Sequence, residues 1–228
     1  MLKLPLVSFV VTSFNYEKYL SKTLDSIKSQ TYRNFEIIIV DDCSTDNSYL
    51  LAEKFVAENQ DLKITLVKQE KNSGQLAGMI KGLELAQGQF VSFIDSDDVL
   101  LPDYAKAHIR VHLETSVALT SCQIVEIGDE DEVHTMNSIS SPHCESLDEL
   151  FAGEDAKFKI LKHKRFGGWY WSPNSSAMFR KSAIELIKDY KNVDAWRICP
   201  DKFLFNFAHL IGGSAIIYTP LIGYRRHS

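Results

Sequence analysis

LVSFVVTSFNYEKYLSKTLDSIKSQTYRNFEIIIVDD, residues 6–42, is the stretch on which the reading of this chain turns. It opens and closes on apolar runs of strand length rich in β-branched residues, LVSFVV (6–11) and FEIIIV (35–40). Between them, residues 17–30 place Leu20, Leu24 and Ile27 on one helical face. Strand, helix and strand in that order predict a βαβ unit with two parallel strands. The pattern continues outward. Leu51, Phe55 and Val56 mark a second helix, and LKITLV (62–67) a third strand. Leu76, Ile80 and Leu83 mark a third helix, QFVSFI (89–94) a fourth strand, and a fourth helix starts near Pro102. The expected fold is α/β, a central mostly parallel sheet flanked by helices, with ligands at the carboxyl ends of the strands.

The second half is less regular. The period is lost from about 127 to 166, which reads as an irregular insertion with one helix near 146–152. GDEDEV (128–133) reads as a solvated acidic turn. WYWSPNSSAMF (169–179) is a strand region, 182–190 and DKFLFNFAHLI (201–211) are helical, and SAIIYT (214–219) is a final strand.

Composition narrows the function classes. The chain has 228 residues, 45% of them hydrophobic, enough for one domain with a sizeable core. Its net charge of −5 argues against wrapping nucleic acid, where phosphate neutralisation dominates affinity. Cys43, Cys122, Cys144 and Cys199 form no C-x-x-C pair, so zinc and redox motifs are unsupported, and scattered thiols suit a reducing, cytoplasmic compartment. The apolar N-terminal run is too short to span a bilayer. Neither G-x-G-x-x-G nor G-x-x-x-x-G-K-[ST] follows the first strand, which removes dinucleotide-binding and P-loop readings.

Polar residues gather where this topology wants a ligand. Thr12, Ser13 and Asn15 follow the first strand, Asp41 and Asp42 the second, and Asp95, Ser96, Asp97 and Asp98 the fourth. Helix capping accounts for one Asp or two. Three carboxylates within four residues repel one another unless a cation or donors compensate, and hard divalent cations such as Mg²⁺ or Mn²⁺ take oxygen ligands. His108 and His112, four apart on a helix, have chelating spacing but no third ligand, and read as a surface helix face. Trp169, Tyr170 and Trp171 read equally as core or as a platform for a sugar ring.

At these positions the chain resembles glycosyltransferase family 2, the inverting enzymes of the GT-A fold. VSFVVTSFN (7–15) resembles that family's V-S-I-I-I-P-T-Y-N, with Thr12 for the usual Pro, and SQTYRNFEIIIVDDCSTDNS (29–48) its second block. NSGQLAGMIKGL (72–83) is similar to N-x-G-x-x-x-A-R-N-x-G, and FIDSDDVLLP (93–102) to F-x-D-x-D-D-x-x-x-P. Tyr224-Arg225-Arg226-His227 resembles a late Y-R-x-H element. Four blocks in order carry the resemblance over residues 6–115, and it is weaker over 170–228.

The resemblance implies a single GT-A domain over 1–228. Residues to about 115 would bind the nucleotide, and those from about 116 the acceptor. It implies a nucleoside-diphosphate-sugar donor, with UDP first, and a divalent cation. The acceptor would be a glycan, lipid-linked or protein hydroxyl, with peripheral association at the inner face of a membrane left open. Thr12, Phe14 and Asn15 would shape the base and ribose pocket, and Asp41 would accept from the imide N–H of the base. Asn72 and Gly74 would let the backbone approach the nucleotide. Asp95 and Ser96 would lie near the ribose, Asp97 would bind the metal with Asp95, and His227 would complete its shell. Asp201 would be the catalytic base, with Asp194 and Glu185 as substitutes. Gly78-Met79-Ile80 stands where the family block has Ala-Arg-Asn, so positive charge must come from elsewhere, with Arg225, Arg226 or Lys81 the expected sources. Relatives usually continue with a helical tail, so the chain reads as one module of a longer protein. Two other readings stay open: a non-catalytic nucleotide-sugar-binding domain, and a sugar nucleotidyltransferase.

Overall fold

The structure, a computed structural model, describes residues 3–135, 157–161, 171, 173–197 and 199–227. Among them a single ten-stranded sheet runs through the molecule. Its first half is β1 (Val7–Ser13), β2 (Phe35–Asp41), β3 (Ile64–Lys68) and β4 (Phe90–Asp95), separated by α1 (Leu20–Lys28), α2 (Ser48–Glu58) and α3 (Gln75–Leu85). These strands lie in the order β3-β2-β1-β4, all parallel. β1 and β2 are buried along almost their whole length, as expected of strands covered on both faces.

Beyond β4 the sheet becomes mixed. β5 (Val99–Leu100) and α4 (Tyr104–Glu114) lead into β6 (Leu119–Ile127) and β7 (Val133–Thr135). β8 (Phe158–Leu161) and β9 (Ala177–Arg180) follow, then α5 (Lys181–Ile184), α6 (Asp201–Gly212) and β10 (Ser214–Arg225). β9 is antiparallel to both β4 and β6, and so splices the two halves. β10 runs parallel to β6 and antiparallel to β5 and β8.

Several expectations are revised here. β7 and β8 occupy part of the stretch read as irregular, and β6 carried no reading as a strand. Within 173–179 a 3₁₀ turn, Asn174–Ser176, precedes β9, and 182–190 is α5 followed by a 3₁₀ turn, Glu185–Asp189. The final strand does not stop at 219. It continues through Pro220, whose missing N–H breaks the ladder, and the register with β6 shifts on both sides of it. The α2 face that packs inward is Ser48, Ala52 and Phe55, with Leu51 and Val56 only partly covered. The helix expected near 146–152, the basic 163–165 and Cys144 lie outside the described residues.

The two histidines of α4 are not on a surface. His108 and His112 are fully buried; His108 Nδ1 meets Thr120 Oγ1 at 2.7 Å, and His112 Nε2 meets the Met178 carbonyl at 3.1 Å. Burial holds both below the ordinary histidine range, so they serve as neutral core polar groups. Trp171 is core as well, donating Nε1–H to Ser214 Oγ at 3.0 Å and packing on Phe205 and His209. Trp169 and Tyr170 lie outside the described residues.

α3 lies close against β1 because its contact face is glycine. A Cβ on Gly82 would sit 2.1 Å from Val10 Cγ1, in a fully buried position. Gly82→Ala gains up to about 1 kcal/mol in helix propensity. Overpacking costs about 1–3 kcal/mol and outweighs it, so the denaturation midpoint should fall. A midpoint equal to or above wild type would show that α3 can back away from the sheet.

Candidate active site

In-register pairing brings the polar ends of the parallel strands to one edge. Ser13 is opposite Asp41, and Thr12 opposite Asp95, so residues far apart in sequence finish level with each other. Above this edge is a cavity of about 710 Å³. Thr12, Phe14, Asn72, Gly74, Asp95, Ser96, Asp97, Asp201 and His227 all line it.

Asn15 and Asp41 do not line it. Asn15 takes a positive φ of 60° and uses its Oδ1 to accept from the Thr45 amide at 2.8 Å, tying the β1–α1 and β2–α2 loops together. Asp41 is 1% exposed; its Oδ2 accepts from the Ser44 amide at 3.0 Å, and its Oδ1 is buried without a hydrogen-bond partner.

The fourth-strand carboxylates divide by what holds them. Asp95 Oδ1 accepts from Gln75 Nε2 at 2.6 Å and Asn174 Nδ2 at 3.0 Å. Burial, then the charges of Asp97 and Asp201, push its pKa up to about 7. Asp98 accepts from the Arg225 amide at 3.0 Å and joins the strand end to β10; burial and its neighbours raise it well above the carboxylate range. Asp97 Oδ2 lies 2.7 Å from His227 Nε2. Ser96 donates to the Thr12 carbonyl at 2.7 Å and so clasps the first and fourth strands. Among the described residues, no three His, Cys, Asp or Glu side chains converge to enclose a metal on their own. A donor set of one carboxylate and one imidazole, beside the buried Asp95 whose pKa its acidic neighbours help to raise, nonetheless fits a divalent cation whose other ligands come from a bound oxyanion.

Asp201 is the first residue of α6, behind Pro200, and lines the same cavity. Its Oδ1 accepts from the Lys202 amide at 2.8 Å. Burial raises its pKa, the direction that suits a proton acceptor near neutral pH. The substitutes are elsewhere: neither Asp194 nor Glu185 lines the cavity, and both are exposed and paired, with Arg197 and Lys188.

The acidic turn is largely exposed, as expected, and it is also a clasp. Asp129 accepts from Lys18 Nζ at 2.9 Å and the Tyr19 hydroxyl at 2.7 Å, and Asp131 from Lys22 Nζ at 2.6 Å. Asp131 also pairs with the buried guanidinium of Arg225, which donates in addition to the carbonyls of Gly128 and Asp97. Arg225 is thereby committed to structure, Arg226 pairs with Glu126, and Lys81 pairs with Glu84. Of these three expected cations only Arg225 is on the cavity wall, where it is spent on the fold, and Arg226 and Lys81 do not line the cavity. Arg197, which sequence reasoning passed over, lines the cavity. Its only signal was a position four residues before Asp201.

The third-helix contacts also change. Asp42 accepts from the Ser73 and Gly74 amides at 2.7 and 2.8 Å, so the backbone donors that open α3 are already engaged. Gly74 stands at φ 87°, where a side chain would be strained and would meet Arg197 at 3.0 Å.

Three comparisons bear on this geometry. The profile of the family described as "Glycosyl transferase family 2" matches residues 8–187. Among curated proteins, the chain is 39% identical to glycosyltransferase GlyG of Streptococcus pneumoniae, over 98% of this chain and 71% of that one. It is 32% identical to the putative glycosyltransferase EpsH of Bacillus subtilis, over 98% of this chain and 61% of that one. Among solved structures, Staphylococcus aureus TarS 1–349 in complex with UDP superposes with a TM-score of 0.71 at 19% identity, covering 96% of this chain and 60% of that one. A Pyrobaculum calidifontis mannosyltransferase in complex with GDP-Man and Mn²⁺ gives a TM-score of 0.62 at 16% identity, covering 95% of this chain and 55% of that one. At such identities the likeness is one of fold. The chain spans about 60% of the length of EpsH and of that TarS structure.

Proposed function

This chain belongs to glycosyl transferase family 2, and on that footing we propose that it moves a sugar from a UDP-sugar to an acceptor hydroxyl, with inversion at the anomeric carbon. The observation that carries the reading is the meeting of Asp95, Asp97 and His227 with Asp201 around one cavity at the carboxyl ends of β1 and β4. Asp97 and His227 would hold a divalent cation, with Asp95 behind them. When bound, the cation supplies positive charge to the departing diphosphate. Asp201, on the wall of the same cavity but carried by α6, would take the acceptor's proton as its oxygen attacks. Residues to about 115 would form the nucleotide half and the remainder the acceptor half of a single domain.

The UDP complex of TarS and the Mn²⁺ complex of the mannosyltransferase support the donor class and the cation. For the acceptor, the chain is 32% identical over half its length to an Escherichia coli protein named UDP-Glc:alpha-D-GlcNAc-diphosphoundecaprenol beta-1,3-glucosyltransferase WfgD. That supports a lipid-linked glycan as the acceptor. Among the described residues no helix is long and apolar enough to cross one. The test is a thermal-shift and UDP-release screen of nucleotide sugars with and without Mn²⁺. Stabilisation by UDP-sugars that needs Mn²⁺, with UDP released only when an acceptor is added, is expected. Indifference to every nucleotide would overturn the reading.

Asp41 is proposed to recognise the base: its Oδ1 lacks a donor, such atoms normally find one, and because Asp41 is buried off the cavity wall, binding has to open the wall over it. Asp41→Ala should weaken UDP by roughly 1–3 kcal/mol and reduce discrimination between uridine and cytidine nucleotides, because cytosine has no imide proton. Titration calorimetry with UDP and CDP measures both. Equal losses for the two would assign Asp41 to holding its own loop.

A further inference from the structure

We propose that Arg197 is the side chain that grips the donor's diphosphate in this chain, in place of a cation on α3. The inference rests on the glycosyl-transfer reading and specifies how the same cavity meets its donor.

The need for such a group comes from charge. A nucleoside diphosphate is an anion, and the cavity already presents the carboxylates of Asp42, Asp95, Asp97 and Asp201. The opening turn of α3 offers little help. The Ser73 and Gly74 amides are donated to Asp42, and the Gln75 amide to the Arg197 carbonyl at 3.2 Å. The side chains of α3 bring no cation to the cavity either: Gln75 there donates to Asp95, Met79 is fully buried in the core, and Lys81 pairs with Glu84 outside the cavity. Of the arginines on the cavity wall, Arg225 has a side chain wholly withdrawn from solvent and spent on Asp131 and two carbonyls.

Arg197 has the opposite character. Its side chain is 44% exposed, and it lines the cavity beside Asn72, Gly74 and Asp201. Nη2 donates to Asn72 Oδ1 at 2.5 Å and more loosely to the Asn72 carbonyl at 3.4 Å, and Nη1 stands 3.5 Å from the exposed Asp194, which leaves Nε and one Nη1 hydrogen. A guanidinium has five donors in a fixed fork that matches phosphate oxygens, so these two partners leave capacity for a ligand. The Asn72 bond fixes where the fork sits. The backbone behind it is held too. Trp196 stacks on Phe203 with centroids 5.5 Å apart and donates to the Tyr190 hydroxyl at 3.2 Å. Phe203 belongs to α6, the helix that begins with Asp201. Arg197 and Asp201 are therefore carried by one packed unit, and the Asn72 side chain joins that unit to the nucleotide half.

The test measures binding of UDP and of uridine, each with Mn²⁺, to wild type and to Arg197→Gln, Arg197→Lys and Arg197→Ala. Gln keeps a donor for Asn72 and removes the charge, so its thermal midpoint without ligand should match wild type. UDP affinity should fall on the order of 10- to 100-fold in Gln and Ala. It should return in part in Lys, which restores charge without the fork. Uridine affinity should be unchanged throughout. UDP affinity unaltered in Arg197→Gln would overturn the proposal. Equal losses of UDP and uridine would overturn it as well, reducing Arg197 to a prop for the 72–74 loop. A wild type that binds no nucleoside diphosphate would instead overturn the reading beneath it.

Discussion

Asp201→Asn is expected to leave the folded protein and its UDP and Mn²⁺ binding as they are, and to lower sugar transfer on the order of 10²–10⁴-fold. Asp201 opens α6, where an acidic side chain favours the helix dipole, so some loss of stability on neutralisation has to be weighed. That contribution is typically 0.3–1 kcal/mol, too small to unfold a domain. The Asn side chain also keeps an acceptor for the Lys202 amide that Asp201 now bonds. What Asn cannot do is take the acceptor's proton. A radiolabelled or coupled UDP-release assay with acceptor present reads the loss, and calorimetry with UDP shows that the site is intact. Transfer at the wild-type rate would remove Asp201 from the mechanism. Since Asp194 and Glu185 stand outside the cavity, no other carboxylate carried by 173–212 would then be in place among the described residues.

Asp97→Ala is expected to abolish the Mn²⁺-dependent part of UDP binding. Its carboxylate faces His227, and no closed cage of protein ligands exists among the described residues to hold a cation without it. The sign of the effect on the ligand-free protein separates lost binding from misfolding. Asp97 is among the causes that raise Asp95 and Asp98 in the folded state. A carboxylate raised on folding costs stability at pH above its unfolded pKa, so deleting Asp97 relieves part of that cost at neutral pH. Its backbone carbonyl, which accepts from Arg225, is retained. The ligand-free midpoint should therefore hold or rise while the shift produced by UDP with Mn²⁺ disappears. Unchanged Mn²⁺-dependent UDP affinity would sink the metal role, and a midpoint several degrees lower would mark Asp97 as structural.

The parallel half of this protein was legible from residues 6–95 alone, for a physical reason. A strand covered on both faces must be apolar throughout, and a helix packed on a sheet must repeat its apolar face, so burial writes itself into local sequence. Polar residues at strand ends are as local: Thr12, Asp95 and Asp97 could be assigned to one edge because parallel strands of similar length end together. Other features depended on partners distant in sequence. Pro220 ends a strand by local rules, yet β10 runs on past it because β6 and β5 still offer their edges. His108 and His112 look like surface residues until Thr120 and Met178 arrive to bond one ring nitrogen of each in the core. Charge was the least legible property of all. Asp129 and Asp131 read as solvated and Arg225 as free, because a charge carries no local mark of its counterion. Tertiary packing alone decided that Arg225 is spent on the fold and that Arg197, beside Gly74 and Asn72, faces the cavity.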